Sequence, residues 1–244
     1  RSSVKHRASR AHRKRPSGTL AVVTVSCSHA GHDIGGGHAQ VHHLNNSRSQ
    51  RILWLLEEIG MPYEIVHYTR MSPVPLAPPE LKAVHPLGKS PVITDGNKTI
   101  AESGAIVEYL IDTYGNGKLK PKMGTDDYWQ YVEWLHYAEG SAMLPLLLAL
   151  YTGMLGDGAA ALRPRVDGEI ANHMSYMEGA LGARSFFVGN DLTGADIQLL
   201  FVLEAAGARL DPYPNLVKYR ARMHDRPAYK RGIEKGGPYA LMSR

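Results

Sequence analysis

Cysteine is nearly missing from this chain. Of 244 residues only Cys27 is a cysteine, it sits in a basic N-terminal stretch, and no thiol follows from residue 39 onward. That excludes a disulfide framework or a CxxC site within the chain, and a reducing, cytoplasmic compartment is the expectation. Long apolar runs are missing as well. No stretch approaches the roughly 18 apolar residues of a membrane span, and Pro145, Gly153 and Gly156 interrupt the richest region. The body also lacks an excess of either charge. The formal +5 arises in residues 1–38, where seven Lys and Arg face Asp33 alone (+6), leaving −1 for the remainder. The basic pI therefore does not argue that the folded body binds nucleic acid. The seven histidines beyond residue 38 form no HExxH or similar ligand spacing, so no metal is expected.

The basic stretch RSSVKHRASRAHRKRPSG has no apolar periodicity and is expected to be disordered. The apolar run at residues 20–25 is shorter than the 7–15 residues of a signal-peptide core. Residues 1–38 are read as a disordered basic tail, with a non-native extension expected in preference to a signal or targeting segment.

From residue 39 the pattern becomes regular. Residues 40–44 read as a strand, 47–59 as an amphipathic helix closed by Gly60 and Pro62, and 63–68 as a buried strand. That order, β-α-β, favours parallel pairing of the two strands. Residues 69–86 carry five of the fifteen prolines and must be mostly loop, with one helical turn near residues 79–83. Residues 91–94 and 98–101 flank Asp95-Gly96, the signature of a hairpin, and 102–114 read as a helix ending at Gly115. A thioredoxin-like α/β domain over residues 39–115 is thus expected, then a linker at 116–124. Residues 125–244 are expected to be all-helical, with helices at 126–154, 159–182, 193–208, 215–225 and 227–234.

Three segments carry chemistry. In HPLGKSPVITDG a proline enters a strand after Ser90. If Pro91 is cis, the backbone of Val92 is expected to stay free to pair with a bound peptide, with Lys89 and Ser90 beside it. In AESGAI, Glu102 and Ser103 open a helix, whose free N–H groups and dipole suit a carboxylate while Glu102 suits an ammonium. In HHLNNSRSQRILWLLEE, Asn46 or Ser47 stands at a helix start, where a hydroxyl or amide can donate to a thiolate. Lowering a thiol pKa by ~2 units needs about 2.7 kcal/mol, within reach of one charge-assisted bond plus a helix terminus. Each segment has an ordinary alternative: a solvated lysine before a trans proline, a plain N-cap pair, a helix cap. Together they suit one ligand, a peptide with an amino-acid head, a free backbone and a thiol, which is glutathione.

In order and spacing, these three motifs resemble the N-terminal domain of the cytosolic glutathione transferases, and the resemblance runs from about residue 40 to the C-terminus. FFVGNDLTGADIQLL adds a fourth match, since Thr193 and Asp196 resemble the structural capping box of the family's sixth helix, with Leu192 and Ile197 as its staple. The resemblance implies a thioredoxin-like domain followed by an all-helical glutathione-transferase C-terminal domain. It implies glutathione as co-substrate without a metal, a small hydrophobic electrophile as second substrate, and a homodimer. Val92, Lys89, Ser90, Glu102 and Ser103 would hold glutathione, with Pro91 structural. Serine-type members place the catalytic serine five residues before the arginine that opens the apolar run. Counting back from Arg51 lands on Asn46, with Ser47 next to it. A fungal and proteobacterial subgroup with a similar polar-Ser-Arg sequence favours Ser47, with Asn46 second and Arg48 assisting electrostatically. Tyr137 and Met143 are the candidates for the electrophile pocket. A glutathione-dependent peroxidase, disulfide reductase or ether-cleaving activity is the alternative enzyme, and a non-catalytic interaction protein of the same fold is the alternative class.

Overall fold

The structure, a computed structural model, describes residues 39–72 and 76–243. The basic tail and Cys27 lie outside the described residues. Among the described residues no helix is long and apolar enough to cross a membrane.

The first half is a four-stranded mixed sheet in the order β2-β1-β3-β4. Strand β1 (Ala39–Leu44) leads into helix α1 (Ser49–Ile59), which closes on left-handed Gly60 (φ 77), where a Cβ would be strained. Strand β2 (Tyr63–Tyr68) returns parallel to β1, with Val41 opposite Ile65. A single helical turn, α2 (Leu81–Val84), precedes β3 (Val92–Asp95) and β4 (Lys98–Ala101), which pair antiparallel. Helix α3 (Ser103–Tyr114) completes the domain. Side chains alternate across a strand, so Val41, Ile65 and Ile93 enter the main core with α1 and α3. On the other face Leu44 and Tyr68 meet Leu81 of α2 in a small separate cluster.

All longer elements after α3 are helical. The expected helix over residues 126–154 is divided into α4 (Asp126–Tyr137), a π turn (Ala138–Ala142) and α5 (Met143–Gly153). Pro145 explains the break, because it has no N–H for the carbonyl of Ser141 and its ring crowds that turn. Helix α6 (Arg163–Leu181) starts four residues later than expected, with Pro164 in its first turn. Helix α7 (Gly194–Ala206) is buried almost all round and forms the centre of this half. Helices α8 (Pro214–His224) and α9 (Pro227–Gly236) follow.

Helix α9 turns back onto α1 and ties the two halves together. Gln50 Nε2 donates to the Gly232 carbonyl at 2.8 Å, and Arg226 pairs with Glu58 at 2.6 Å. Arg231 and Lys235 both pair with Glu57. The approach is close enough that a Cβ on Gly232 would stand 3.0 Å from the Trp54 amide nitrogen. One apolar core runs through both halves, so α1, which carries the polar knot at its start, is clamped from two sides.

Candidate active site

The knot begins where β1 ends. Asn46 adopts φ 52, a left-handed conformation that asparagine tolerates better than most residues. Its side-chain oxygen accepts the Ala240 N–H at 2.6 Å, and its carbonyl accepts from Arg70 at 3.0 Å. Ser47 is 7% exposed. Its Oγ accepts the Ser49 N–H at 3.2 Å, and its carbonyl accepts the Gln50 N–H at 3.2 Å. Ser47 therefore caps α1 from outside, and the regular helix starts two residues later than expected, at Ser49.

Behind Ser47 lies a buried polar chain. Ser47 Oγ is 2.8 Å from Ser49 Oγ, which is 2.8 Å from His43 Nδ1. His43 Nε2 is 3.0 Å from the carbonyl of Gly236 in α9, so it carries the hydrogen and donates. Burial, then the neighbouring His67, lowers the His43 pKa to about 4, although the Gly236 bond opposes the shift. This depression has a stability consequence. Between about pH 6.5 and 4 the unfolded chain binds the proton and the folded chain does not, so stability is lost as pH falls through that window. The loss is about 3 kcal/mol for a shift of this size. Urea unfolding at several pH values should show a shallower acid limb in His43→Phe than in the wild type.

The second segment meets the knot directly. The Ser90–Pro91 peptide bond is cis. Ser90 Oγ donates to the His42 carbonyl at 2.8 Å and accepts the Leu44 N–H at 3.3 Å, which fastens this corner to the end of β1. The free edge expected at Val92 is absent. Val92 is flanked by His42 of β1 and Ala101 of β4 and is 1% exposed, so it lies inside the ladder. The backbone of Ser90, on the near side of Pro91, has no backbone hydrogen bond to another described residue. Lys89 is exposed and makes no ion pair among the described residues.

The third segment follows β4. Glu102 is exposed with φ 69, a positive value that a side-chain-bearing residue rarely holds and that recurs at functional sites. Ser103 opens α3 and is buried, its Oγ accepting from Arg51 Nη1 at 3.1 Å and lying 3.3 Å from Gln198 Oε1. Arg51 is wholly buried, lies over the Phe201 ring at 4.6 Å and pairs with Glu139 at 2.8 Å. Arg48, expected near the thiol, also pairs with Glu139 at 2.8 Å and so braces the two halves. Burial pushes the Glu139 carboxyl up, but the two guanidiniums outweigh it and hold the pKa below the ordinary value. Arg51 Nε and Nη2 and Gln198 Nε2 are buried without a protein acceptor, an unusual surplus of donors. Sequence reasoning used Arg51 only as a counting mark and missed Glu139 and Gln198, which lie 88 and 147 positions from it.

Other expected residues lie elsewhere. The Tyr137 hydroxyl meets His173 Nδ1 at 2.7 Å within an aromatic cluster that includes Trp134 and Tyr176, and Met143 is core. Thr193 and Asp196 form a reciprocal capping box at the start of α7, with Leu192 and Ile197 buried beside it. A cleft of about 560 Å³ opens beside the linker, between Lys118, Lys120, Asp127 and Asp191, but no residue of the three segments lines it. The three segments meet instead at the shared corner of β1, β3 and α3. Among the described residues no three metal-ligating side chains converge.

A thioredoxin-like sheet domain joined to an all-helical domain, with polar groups gathered at the β1–α1 junction and the cis-proline corner, defines a narrow class of proteins. Residues 40–112 match the glutathione S-transferase N-terminal domain family and residues 156–235 the glutathione S-transferase C-terminal domain family. Glutathione S-transferase 3 of Schizosaccharomyces pombe is 34% identical over 212 residues, which cover 80% of this chain and 86% of the relative. A glutathione S-transferase structure from Actinobacillus pleuropneumoniae superposes with a TM-score of 0.76 at 37% identity, covering 83% of this chain and 95% of that one. A glutathione transferase family member from Pseudomonas fluorescens, with two glutathione molecules bound, has a TM-score of 0.70 at 25% identity, covering 80% of this chain and 92% of that one. The chain belongs to the glutathione S-transferase family and is an enzyme of that family.

Proposed function

We propose that this chain binds glutathione at the β1–α1, cis-proline and α3 corner and presents its sulfur as a thiolate for attack on small hydrophobic electrophiles. The observation that carries the reading is convergence. Ser90 bonds to Leu44 at the end of β1, Arg51 of α1 bonds to Ser103, and Ala101, just before Glu102, pairs with Val92, just after Pro91. Three segments far apart in sequence thus border one small region.

In that region Ser47 donates to the sulfur, and the N-terminus of α1 favours its negative charge. The unpaired backbone of Ser90 suits the cysteinyl unit, and Lys89 suits the glycyl carboxylate. The start of α3 at Ser103, with the buried Arg51 cation behind it, suits the carboxylate of the γ-glutamyl head, while Glu102 takes the ammonium. Thiolate attack on an electrophilic carbon forms a thioether and expels the leaving group, with no metal required. The enzyme is proposed to work in the cytoplasm, and as a homodimer, the latter because Leu144, Leu148 and Tyr151 of α5 and Met154 just after it leave an apolar surface exposed. Sedimentation at twice the chain mass supports the dimer, and a single-chain mass contradicts it.

Immobilised glutathione should retain the protein, and millimolar free glutathione should elute it and raise its Tm. Absence of both retention and stabilisation would contradict the reading.

A further inference from the structure

The buried chain behind Ser47 has a direction, and hydrogen counting sets it. The Gly236 carbonyl carries no hydrogen, so His43 Nε2, 3.0 Å away, must donate. A neutral imidazole then has only a lone pair at Nδ1. Ser49 Oγ, 2.8 Å from Nδ1, is the hydroxyl placed to donate there, and the shorter distance favours Nδ1 over the Leu44 carbonyl at 3.2 Å. The Ser49 oxygen already accepts the Leu44 N–H at 3.2 Å, and with its hydrogen committed to His43 it can only accept from Ser47 as well. Ser47 in turn accepts the Ser49 N–H. The hydroxyl and ring hydrogens of the chain consequently point inward, from Ser47 to Ser49 to His43 to Gly236, while the Ser49 N–H alone points back to Ser47. The low His43 pKa agrees with the neutral ring this direction needs.

We propose that the Ser47 hydroxyl hydrogen is a two-position switch whose inner stop is set from α9: Gly236 fixes the His43 tautomer, His43 takes the Ser49 hydrogen, and Ser49 is left to receive that of Ser47. The proposal rests on the reading of Ser47 as the sulfur contact. A thiolate draws the hydrogen outward and leaves the Ser49 oxygen short of one donor. Once the sulfur has become a thioether, a weak acceptor, the hydrogen returns to Ser49. The inner stop thus opposes thiolate formation slightly and lowers the hold on the conjugate. His43 and Ser49 are positioning residues, since neither needs to touch the ligand. No covalent step is altered.

Ultraviolet difference absorption of bound glutathione against pH tests this in Ser49→Ala and, independently, His43→Phe. Ser49→Ala removes the inner acceptor. In His43→Phe the Ser49 hydrogen is free to turn toward Ser47. Both are expected to lower the bound thiol pKa by roughly half a unit to one unit, the worth of one hydrogen bond. A merely structural role predicts the opposite sign, because a loosened Ser47 stabilises thiolate less well. An unchanged or raised pKa in Ser49→Ala, while Ser47→Ala raises it, overturns the switch and leaves the proposed function standing. An unchanged pKa in Ser47→Ala overturns the sulfur contact and the switch with it.

Discussion

Replacement of Asp196 by alanine is expected to destabilise the protein by about 3–5 kcal/mol, a large part of the reserve of an ordinary domain. The carboxylate is completely buried at the start of α7. It accepts from the Phe187 N–H at 3.1 Å, the Thr193 N–H at 2.9 Å, the Thr193 hydroxyl at 3.0 Å and the Tyr219 hydroxyl at 2.8 Å. Burial pushes its pKa above the ordinary value despite these four donors. Alanine would leave those donors without their acceptor inside the core and would remove half of the capping box. Helix α7 supplies Gln198 and Phe201 to the corner where glutathione is proposed to bind, so its loss is expected to abolish binding as well. Urea unfolding measures the cost. A change below about 1 kcal/mol would contradict this account of how α7 is anchored.

Ser47→Ala is expected to raise the pKa of the bound thiol by about 1–2 units, the helix terminus keeping the rest of the depression, and to lower kcat/KM near neutral pH roughly 10- to 100-fold. The fold should survive, at a cost of about 1 kcal/mol for the lost contact to the Ser49 N–H. Asn46→Ala is expected to change the thiol pKa little. The Asn46 side-chain oxygen is already held by Ala240, and its left-handed backbone serves the turn that delivers Ser47. Steady-state kinetics of the two variants across pH, with a chromogenic electrophile, separate the assignments. A large loss in Asn46→Ala with none in Ser47→Ala would reverse them.

What was legible in the sequence was local. The β1–α1–β2 pattern, the Asp95-Gly96 turn and the Thr193–Asp196 pair are each written within a few residues, and the elements appear where turn and capping chemistry put them. The break at Ala138–Ala142 was less visible, since the apolar pattern runs through it and only Pro145 marks the missing donor. Val92 was misjudged because strand order is a tertiary fact. Nothing near residue 92 shows that β3 runs between β1 and β4, which encloses its backbone and leaves that of Ser90 unpaired. The cluster of Arg48, Arg51, Glu139 and Gln198 was illegible for the same reason. Its members are ordinary surface-type residues until folding brings the second domain against α1. The arginine used to count toward the catalytic serine proves to be the buried cation behind Ser103.

The central claim is that this corner binds glutathione and ionises its sulfur. Its most direct test is an ultraviolet difference titration of glutathione in complex with the wild-type protein. The account predicts that bound thiolate appears about 2 pH units below the titration of the free thiol. It would be contradicted by a bound thiol that titrates at the same pH as the free one.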